Sequence, residues 1–125
     1  DNESSWTDWS RRDAWAGLEA FVRRLLAFRA EHPVLSQPTW WGSDVTWFGV
    51  DGAPDLAEHS RSLAWHLRGL YVMANMWWEP LEFALQVPGD WMGVLDTTVE
   101  SGFVTARAAT ESVTVGPRAI VVATC

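Results

Sequence analysis

LYVMANMWWEPLEFALQV, residues 70–87, is the stretch that decides the fold class. It contains two short runs rich in apolar and aromatic residues, and Glu79-Pro80 separates them. Proline has no backbone N–H and therefore interrupts a β-ladder. The stretch predicts two strands with a break near the proline, and so a protein built mainly from β-sheet.

Further segments on both sides carry a similar strand-like pattern, and Gly, Pro and Asp residues separate them. They are TWWGSDVTWFGVDG (39–52), RSLAWHLRG (61–69), DWMGVLDT (90–97), ESVTV (111–115) and RAIVVATC (118–125). We expect the last two to pair with each other across Gly116-Pro117. Short strands at close spacing indicate an antiparallel β-sandwich of seven or eight strands in residues 33–125.

A different periodicity governs residues 13–32, DAWAGLEAFVRRLLAFRAEH, which predict one long amphipathic α-helix before the sandwich. Ser10 and Asp13 form a capping-box pattern and predict the start of this helix. Pro33 disfavours helical geometry at His32 and predicts its end. The apolar stripe of the helix consists of Leu18, Phe21, Val22, Leu25 and Leu26, with Trp15 one turn earlier.

One helix cannot bury such a stripe alone. It must pack on the sandwich, on a second copy of itself, or on a part of the protein outside this chain. Because exposed apolar patches tend to find a partner, we expect the isolated chain to self-associate through helix 13–31.

Composition narrows the possible functions. The chain has 125 residues and a formal net charge of −7, so it lacks the basic surface that nucleic acids and anionic membranes require. A neutral partner such as a sugar is compatible with this charge. The single cysteine, Cys125, excludes an internal disulfide and favours a reducing compartment. Ten tryptophans suit either a core and interfaces or stacking on sugar rings.

Seven motifs in order carry a family resemblance. They are DNESSWTDW (1–9), FVRRLLAFRAEHPVL (21–35), WWGSDVTWFGVDG (40–52), RSLAWHL (61–67), LYVMANMWWEPLEFAL (70–85), WMGVLDT (91–97) and VGPRAIVV (115–122). Together they resemble the C-terminal part of bacterial glycogen debranching enzymes of the isoamylase type, in the α-amylase superfamily of glycoside hydrolases. Two departures are Ser4, where relatives usually have an apolar residue, and the short connection between Leu67 and Leu70.

The resemblance implies a division of the chain. Residues 1–32 would be a loop and the last helix of a (β/α)₈ catalytic barrel, and residues 33–125 the C-terminal β-sandwich domain. The implied activity of the parent enzyme is retaining hydrolysis of α-1,6 branch linkages in glycogen, in the bacterial cytoplasm. Its nucleophile, acid/base and third aspartate would lie upstream of residue 1. We therefore assign no catalytic residue, no cofactor and no metal to this chain, and expect it to be inactive alone.

Two groups of residues are candidates for sugar contacts. By resemblance, Asp1, Asn2 and Glu3 would lie near the substrate cleft in an intact enzyme, although a solvated terminus explains them equally well. Trp40-Trp41 and Trp77-Trp78 would each present one ring inwards and one outwards if they lie on strands. An outward ring would stack on glucan or be covered by a domain interface.

Two other classes of function remain open from the residues themselves. One is an autonomous carbohydrate-binding module that uses outward tryptophans. The other is an interaction subunit without sugar affinity. The three histidines have no metal-ligand spacing, and Asp96-Thr97-Thr98 is typical of a turn at a strand end.

Overall fold

The computed structural model describes residues 2–109 and 111–125, and for Ser4 the backbone alone. The described residues form one α-helix, α1 (Ala16–Glu31), followed by eight strands. The strands are β1 (Val45–Phe48), β2 (Ser62–Leu67), β3 (Leu70–Asn75), β4 (Leu81–Ala84), β5 (Trp91–Asp96), β6 (Phe103–Ala109), β7 (Ser112–Val115) and β8 (Ala119–Thr124). The predicted mainly-β fold with a preceding helix is confirmed.

The strands form two antiparallel sheets. The larger has six strands in the order β1-β2-β3-β8-β5-β6, and the smaller consists of β4 and β7. The break at Pro80 therefore does more than separate β3 from β4, because the chain changes sheets there. The predicted pairing of the last two strands is wrong: β7 pairs with β4, whereas β8 lies between β3 and β5. The turn at 116–118 carries the chain from one sheet to the other.

Alternation along the strands gives each face of the six-stranded sheet its own core. In β3, Tyr71 and Met73 point to the inner core, which they share with Phe83 of β4 and Val115 of β7. Leu70 of the same strand belongs to a second core on the outer face. The result is three layers: helix α1, the large sheet and the small sheet.

The outer face is a continuous apolar row across all six strands. Strand pairing aligns one residue from each strand, in the order Trp47, Trp65, Val72, Val122, Leu95 and Phe103. Leu25 and Phe28 of α1 pack against the part of this face formed by β3, β5, β6 and β8. The helix therefore covers the sheet mainly on the side away from β1.

Helix α1 begins later than the sequence predicts. Ser10 is not its cap: Asp8 accepts a hydrogen bond from the Ser10 backbone N–H at 3.0 Å and caps a short 3₁₀ turn at Trp9–Arg11. A second 3₁₀ turn, Asp13–Trp15, precedes the α-helix at Ala16. The predicted end is confirmed, since α1 stops at Glu31 and His32 leaves helical geometry.

The short β2–β3 connection is a two-residue hairpin turn. Arg68 and Gly69 have φ values of 42° and 81°, the left-handed conformation that primed hairpin turns require. Such a turn suits the twist of paired strands, which explains how the chain closes this hairpin without a longer loop.

Candidate functional site

Trp77 and Trp78 lie in the segment between β3 and β4, residues 76–80, which we call the tryptophan loop. Their rings stack with centroids 3.7 Å apart and an interplanar angle of 24°. The prediction that adjacent tryptophans lie on a strand and point to opposite faces is wrong for this pair. The chain has already left β3 at Asn75, so strand alternation no longer applies. Trp78 is 63% exposed, whereas Trp77 is half-buried.

The side chain of Asn75, at the end of β3, holds the tryptophan loop in place. Asn75 is completely buried. Its Oδ1 accepts a hydrogen bond from the Trp77 backbone N–H at 2.9 Å, and its Nδ2 lies 2.8 Å from the carbonyl of Glu79. The same Nδ2 is also within hydrogen-bond distance of the Val115 and Gly116 carbonyls, at 3.1 and 2.9 Å. One amide therefore joins the loop to the small sheet and satisfies backbone groups of both.

Two backbone hydrogen bonds complete the support of the tryptophan loop. The Met76 N–H donates to the carbonyl of Arg61 at 2.7 Å, and the Arg118 N–H donates to the carbonyl of Trp77 at 3.0 Å. The loop is thus attached to the start of β2 and to the turn before β8. Together with the Asn75 contacts, these bonds fix the backbone that carries the two rings.

A groove of about 230 Å³ lies against the tryptophan loop, and we call it the loop groove. Its apolar side is formed by Trp77, Val50 and Leu81, and its polar side by Asp55, His59, Ser60, Arg61 and Ser62. Arg61 is partly engaged, because its Nη1 donates to the Ser60 carbonyl at 2.8 Å. Asp55 accepts a hydrogen bond from the Ala57 N–H at 3.0 Å and so shapes the loop in which it lies.

The loop groove could not be predicted from the sequence. Residues 53–59 have the composition of a loop, and nothing in their order points to a ligand. They reach Trp77 because β2 and β3 form a hairpin, which brings the start of β2 beside the end of β3. Only the strand register places these side chains together.

Trp40 and Trp41 also lie outside the strands, since β1 begins at Val45. Their rings are tilted by 43° with centroids 5.1 Å apart. Trp41 is half-buried and its Nε1–H donates to the Val34 carbonyl at 2.8 Å, which fixes the ring to the segment after α1. Trp40 is 70% exposed. The prediction of opposite strand faces is wrong here as well, although one ring is half-buried and the other exposed.

Two of the three N-terminal candidates, Asn2 and Glu3, are exposed. Asn2 and Glu3 begin a short turn in which the Ser5 N–H donates to the Asn2 carbonyl at 3.0 Å. Asp1 lies outside the described residues. The described contacts at this end stabilise the turn.

Helix α1 has two apolar faces with different surroundings. Phe21, Leu25 and Phe28 are half-buried on the side of the sheet. We call the other face the exposed stripe, and it consists of Trp15, Leu18, Val22 and Leu26. These residues recur at spacings of three and four, so they form one line along the helix. Trp9, 76% exposed, extends this surface beyond the helix start.

The exposed stripe borders a charged cluster. A groove of about 370 Å³ runs from Trp9 to Val22 and includes Glu19. Hydrogen bonds from Arg12 and Arg23, at 3.3 and 2.8 Å, lower the pKa of the Glu19 carboxyl. The carboxylate is therefore firmly ionised at neutral pH and is an orienting group for the two arginines, not a proton donor.

Two titratable groups in the sandwich, His66 and Tyr71, have pKa values that burial shifts. Burial lowers the pKa of His66, whose Nε2 accepts a hydrogen bond from the Gly69 N–H at 3.3 Å. Burial likewise raises the pKa of the Tyr71 hydroxyl, which donates to the Ala84 carbonyl at 3.3 Å. Both groups are satisfied members of the core. Asp96 accepts the Thr98 N–H at 2.8 Å, as the predicted turn requires.

The described residues contain no group of three or more His, Cys, Asp or Glu side chains arranged to hold a metal ion. Among the same residues, no helix has the length and apolar character needed to cross a bilayer.

Comparison with known proteins gives a consistent set of relatives. The chain is 30% identical over 123 residues to an isoamylase of Flavobacterium sp., covering 78% of this chain and 16% of that protein. It is 34% identical over 83 residues to a glycogen debranching enzyme of Cronobacter sakazakii, covering 62% and 12%. No protein-family model matches the chain.

A solved structure shows the same fold. The chain superposes on a type I pullulanase from Bacillus subtilis, solved in complex with maltose, with a TM-score of 0.70 and 17% identity. The match covers 94% of this chain and 17% of the pullulanase. The chain thus spans less than a fifth of the length of each of these proteins. It is homologous over most of its length to isoamylases and glycogen debranching enzymes, which confirms the resemblance that its motifs carry.

Proposed function

We propose that this chain is the C-terminal segment of an α-glucan debranching glycoside hydrolase that cleaves α-1,6 branch linkages. In this proposal residues 1–32 are the end of a (β/α)₈ catalytic barrel, and residues 33–125 are a sandwich domain packed against it. The observation that carries the proposal is the exposed stripe on α1, in a chain that aligns with 12–16% of much longer debranching enzymes.

The two faces of α1 explain why the stripe supports a barrel. One face contacts the sandwich through Leu25 and Phe28. The exposed stripe on the adjacent face, with Leu26 61% exposed, has the spacing of a helix that packs on a second apolar layer. In a (β/α)₈ barrel each helix packs on the strands inside it. A helix covered on both sides in this way would connect the barrel to the sandwich.

The segment's role in this proposal is structural. Retaining hydrolysis requires two carboxyl groups roughly 5 Å apart, and we place them on the upstream barrel. Asn2 and Glu3, exposed at the N-terminal end, would then lie at the rim of the substrate cleft together with Asp1. The chain alone is expected to release no sugar from glycogen or pullulan.

The proposal also covers location and assembly. Glycogen is an intracellular store, so we place the intact enzyme in the bacterial cytoplasm, in keeping with a chain that has one cysteine. The isolated chain, with its stripe uncovered, would self-associate through α1. In the intact enzyme the barrel would cover that surface.

The mass of the native polypeptide tests this function. An antibody raised against the chain would be used on an extract of the source cells, and the captured protein would be assayed on branched glucan. A barrel adds about 250 residues or more, so we expect a polypeptide far larger than 14.0 kDa that releases linear chains. A native polypeptide near 14.0 kDa, or a large one without debranching activity, would refute the proposal.

A further inference from the structure

The tryptophan loop is a preorganised aromatic surface. Asn75 is fully buried and holds both ends of the Trp77–Glu79 segment through its side-chain amide. Burying an amide is unfavourable unless its hydrogen bonds are made. Here two of the four hydrogen-bond contacts of the Asn75 side chain go to the surface loop, and the other two go to the Val115 and Gly116 carbonyls. A loop held in this way loses little conformational freedom when a ligand binds.

The loop groove supplies the polar half of a binding site. It combines the Trp77 ring with a carboxylate, an imidazole, a guanidinium and hydroxyls: Asp55, His59, Arg61, Ser60 and Ser62. Ligand sites commonly pair apolar and aromatic walls with a few polar groups that fix orientation. A volume of about 230 Å³ is below the roughly 300–1,000 Å³ of sites for drug-sized molecules, so it suits one small ring at a time.

We propose that the tryptophan loop and the loop groove bind a glucosyl unit of an α-glucan chain, as a contact separate from the catalytic centre. The apolar face of the sugar would lie against the tryptophans, and its hydroxyls would meet Asp55, His59 and Arg61. The exposed ring of Trp78 would extend the platform to a neighbouring glucosyl unit. The identity of the sugar rests on the proposed function; the site itself rests on this geometry.

The charges and position of the groove favour a neutral sugar. A carboxylate and a guanidinium face the same small space, which disfavours a strongly charged ligand of either sign. The chain's net charge of −7 opposes nucleic acid. Val50 and Leu81, which line the groove, pack on the inner core, whereas α1 covers the outer face. None of the residues of the exposed stripe, on which the barrel is proposed to pack, lines the groove.

Trp40 and Trp41 are weaker candidates for a sugar-binding site, and Trp40 provides the control substitution. Trp40 is about as exposed as Trp78, 70% against 63%, but it does not line the loop groove. The rings of Trp40 and Trp41 are tilted relative to each other and do not stack. Substituting Trp40 therefore removes an exposed indole of similar exposure without touching the proposed site.

The test is a titration of the full 125-residue chain with linear maltoheptaose, followed by the NMR signals of the indole N–H groups. We expect shifts confined to Trp77 and Trp78, with a dissociation constant of about 1 mM. Trp78→Ala should weaken binding at least about tenfold, and Asp55→Ala severalfold, whereas Trp40→Ala should leave it unchanged. Thermal unfolding of each variant would establish that it is folded, as expected for substitutions at exposed positions.

Two results would overturn the inference: no shifts up to about 10 mM sugar, or equal weakening by Trp78→Ala and Trp40→Ala. These failures differ from a failure of the proposed function. A large, active native polypeptide without sugar shifts at Trp77 and Trp78 would reject this site alone. A native polypeptide near 14.0 kDa with those shifts would reject the debranching enzyme and keep the site.

Discussion

Gly102 lies directly against the ring of Phe21, so the turn before β6 and helix α1 meet without space for a side chain. A Cβ at position 102 would overlap Cε2 and Cδ2 of Phe21. Gly102 also has a φ of 67°, which L-residues other than glycine rarely adopt. The close approach lets Phe21 reach Phe103, with ring centroids 6.4 Å apart. Gly102 is therefore a requirement for docking the helix on the sheet.

Gly102→Ala should destabilise the chain by about 2–4 kcal/mol, because left-handed backbone strain and overpacking add. Urea unfolding followed by tryptophan fluorescence measures this. Gly52→Ala is the matched control, since nothing lies within 4 Å of a Cβ at that position. We expect the control to change stability by no more than about 0.5 kcal/mol. Equal effects of the two substitutions would contradict the close docking of Phe21.

Asn75→Ala should cost about 2–4 kcal/mol, because it leaves the Trp77 N–H and several carbonyls without their partner in a buried site. Asn75→Asp distinguishes the acceptor role of the amide oxygen from the donor role of the amide nitrogen. It keeps an acceptor for Trp77 but places a carboxylate against carbonyl oxygens. Burial would raise the pKa of this new carboxyl, so the Asp variant should regain stability as the pH falls toward about 5. If the stability of the protein does not depend on the Asn75 hydrogen bonds, urea unfolding will show neither the loss of stability in Asn75→Ala nor the pH dependence in Asn75→Asp.

The sequence predicted those elements whose signals are local. Pro33 stops α1 where expected, and Gly, Pro and Asp residues mark most strand ends correctly. Strand β6 was not predicted, because ARAA (106–109) within it contains none of the β-branched or aromatic residues that favour strands. It exists because it pairs with β5 at the edge of the large sheet. Strand partners were also beyond local reasoning, as the wrong pairing of β7 with β8 shows.

The candidate sites illustrate the same limit. The apolar residues of α1 were predicted as one stripe, yet Leu25 contacts the sheet and Leu26 does not. Helical periodicity places apolar residues on an arc, but only the neighbouring layer decides which part of the arc is covered. Trp77 and Trp78 were identified from composition alone. The loop that carries them is anchored by Asn75, whose side chain also reaches carbonyls 40 and 41 residues further along the chain.

His66 should make stability depend on pH. Burial lowers the pKa of His66 in the folded chain below its ordinary value of 6.5. At a pH between the folded-state pKa and 6.5, the unfolded chain therefore binds more protons than the folded chain. The free energy of unfolding should therefore fall as the pH decreases through about 6.5, with a slope of at most about 1.4 kcal/mol per pH unit from this group. Protonation would also remove the acceptor for the Gly69 N–H.

Thermal unfolding of the parent and of His66→Gln across this range isolates the effect, because all other groups titrate alike in both. The Gln variant should show the smaller loss of stability on acidification. His59→Gln, at an exposed position, serves as the control and should keep the slope of the parent. Parallel curves for the parent and His66→Gln would mean that His66 is not held neutral by the fold.

Leu25 and Leu26 are neighbours on α1, but Leu25 packs on the outer core whereas Leu26 is exposed. Substituting each of them therefore distinguishes folding from association. Leu25→Ala should lower the stability by about 1–2 kcal/mol, because Leu25 packs on the outer core. Leu26→Gln should change it by less than about 0.5 kcal/mol, since that side chain is 61% exposed. Combined with Leu18→Gln, it should convert a self-associating chain into a monomer in analytical ultracentrifugation. The exposed stripe would lose its proposed role if the parent is already monomeric at high concentration, or if the double variant associates as strongly as the parent.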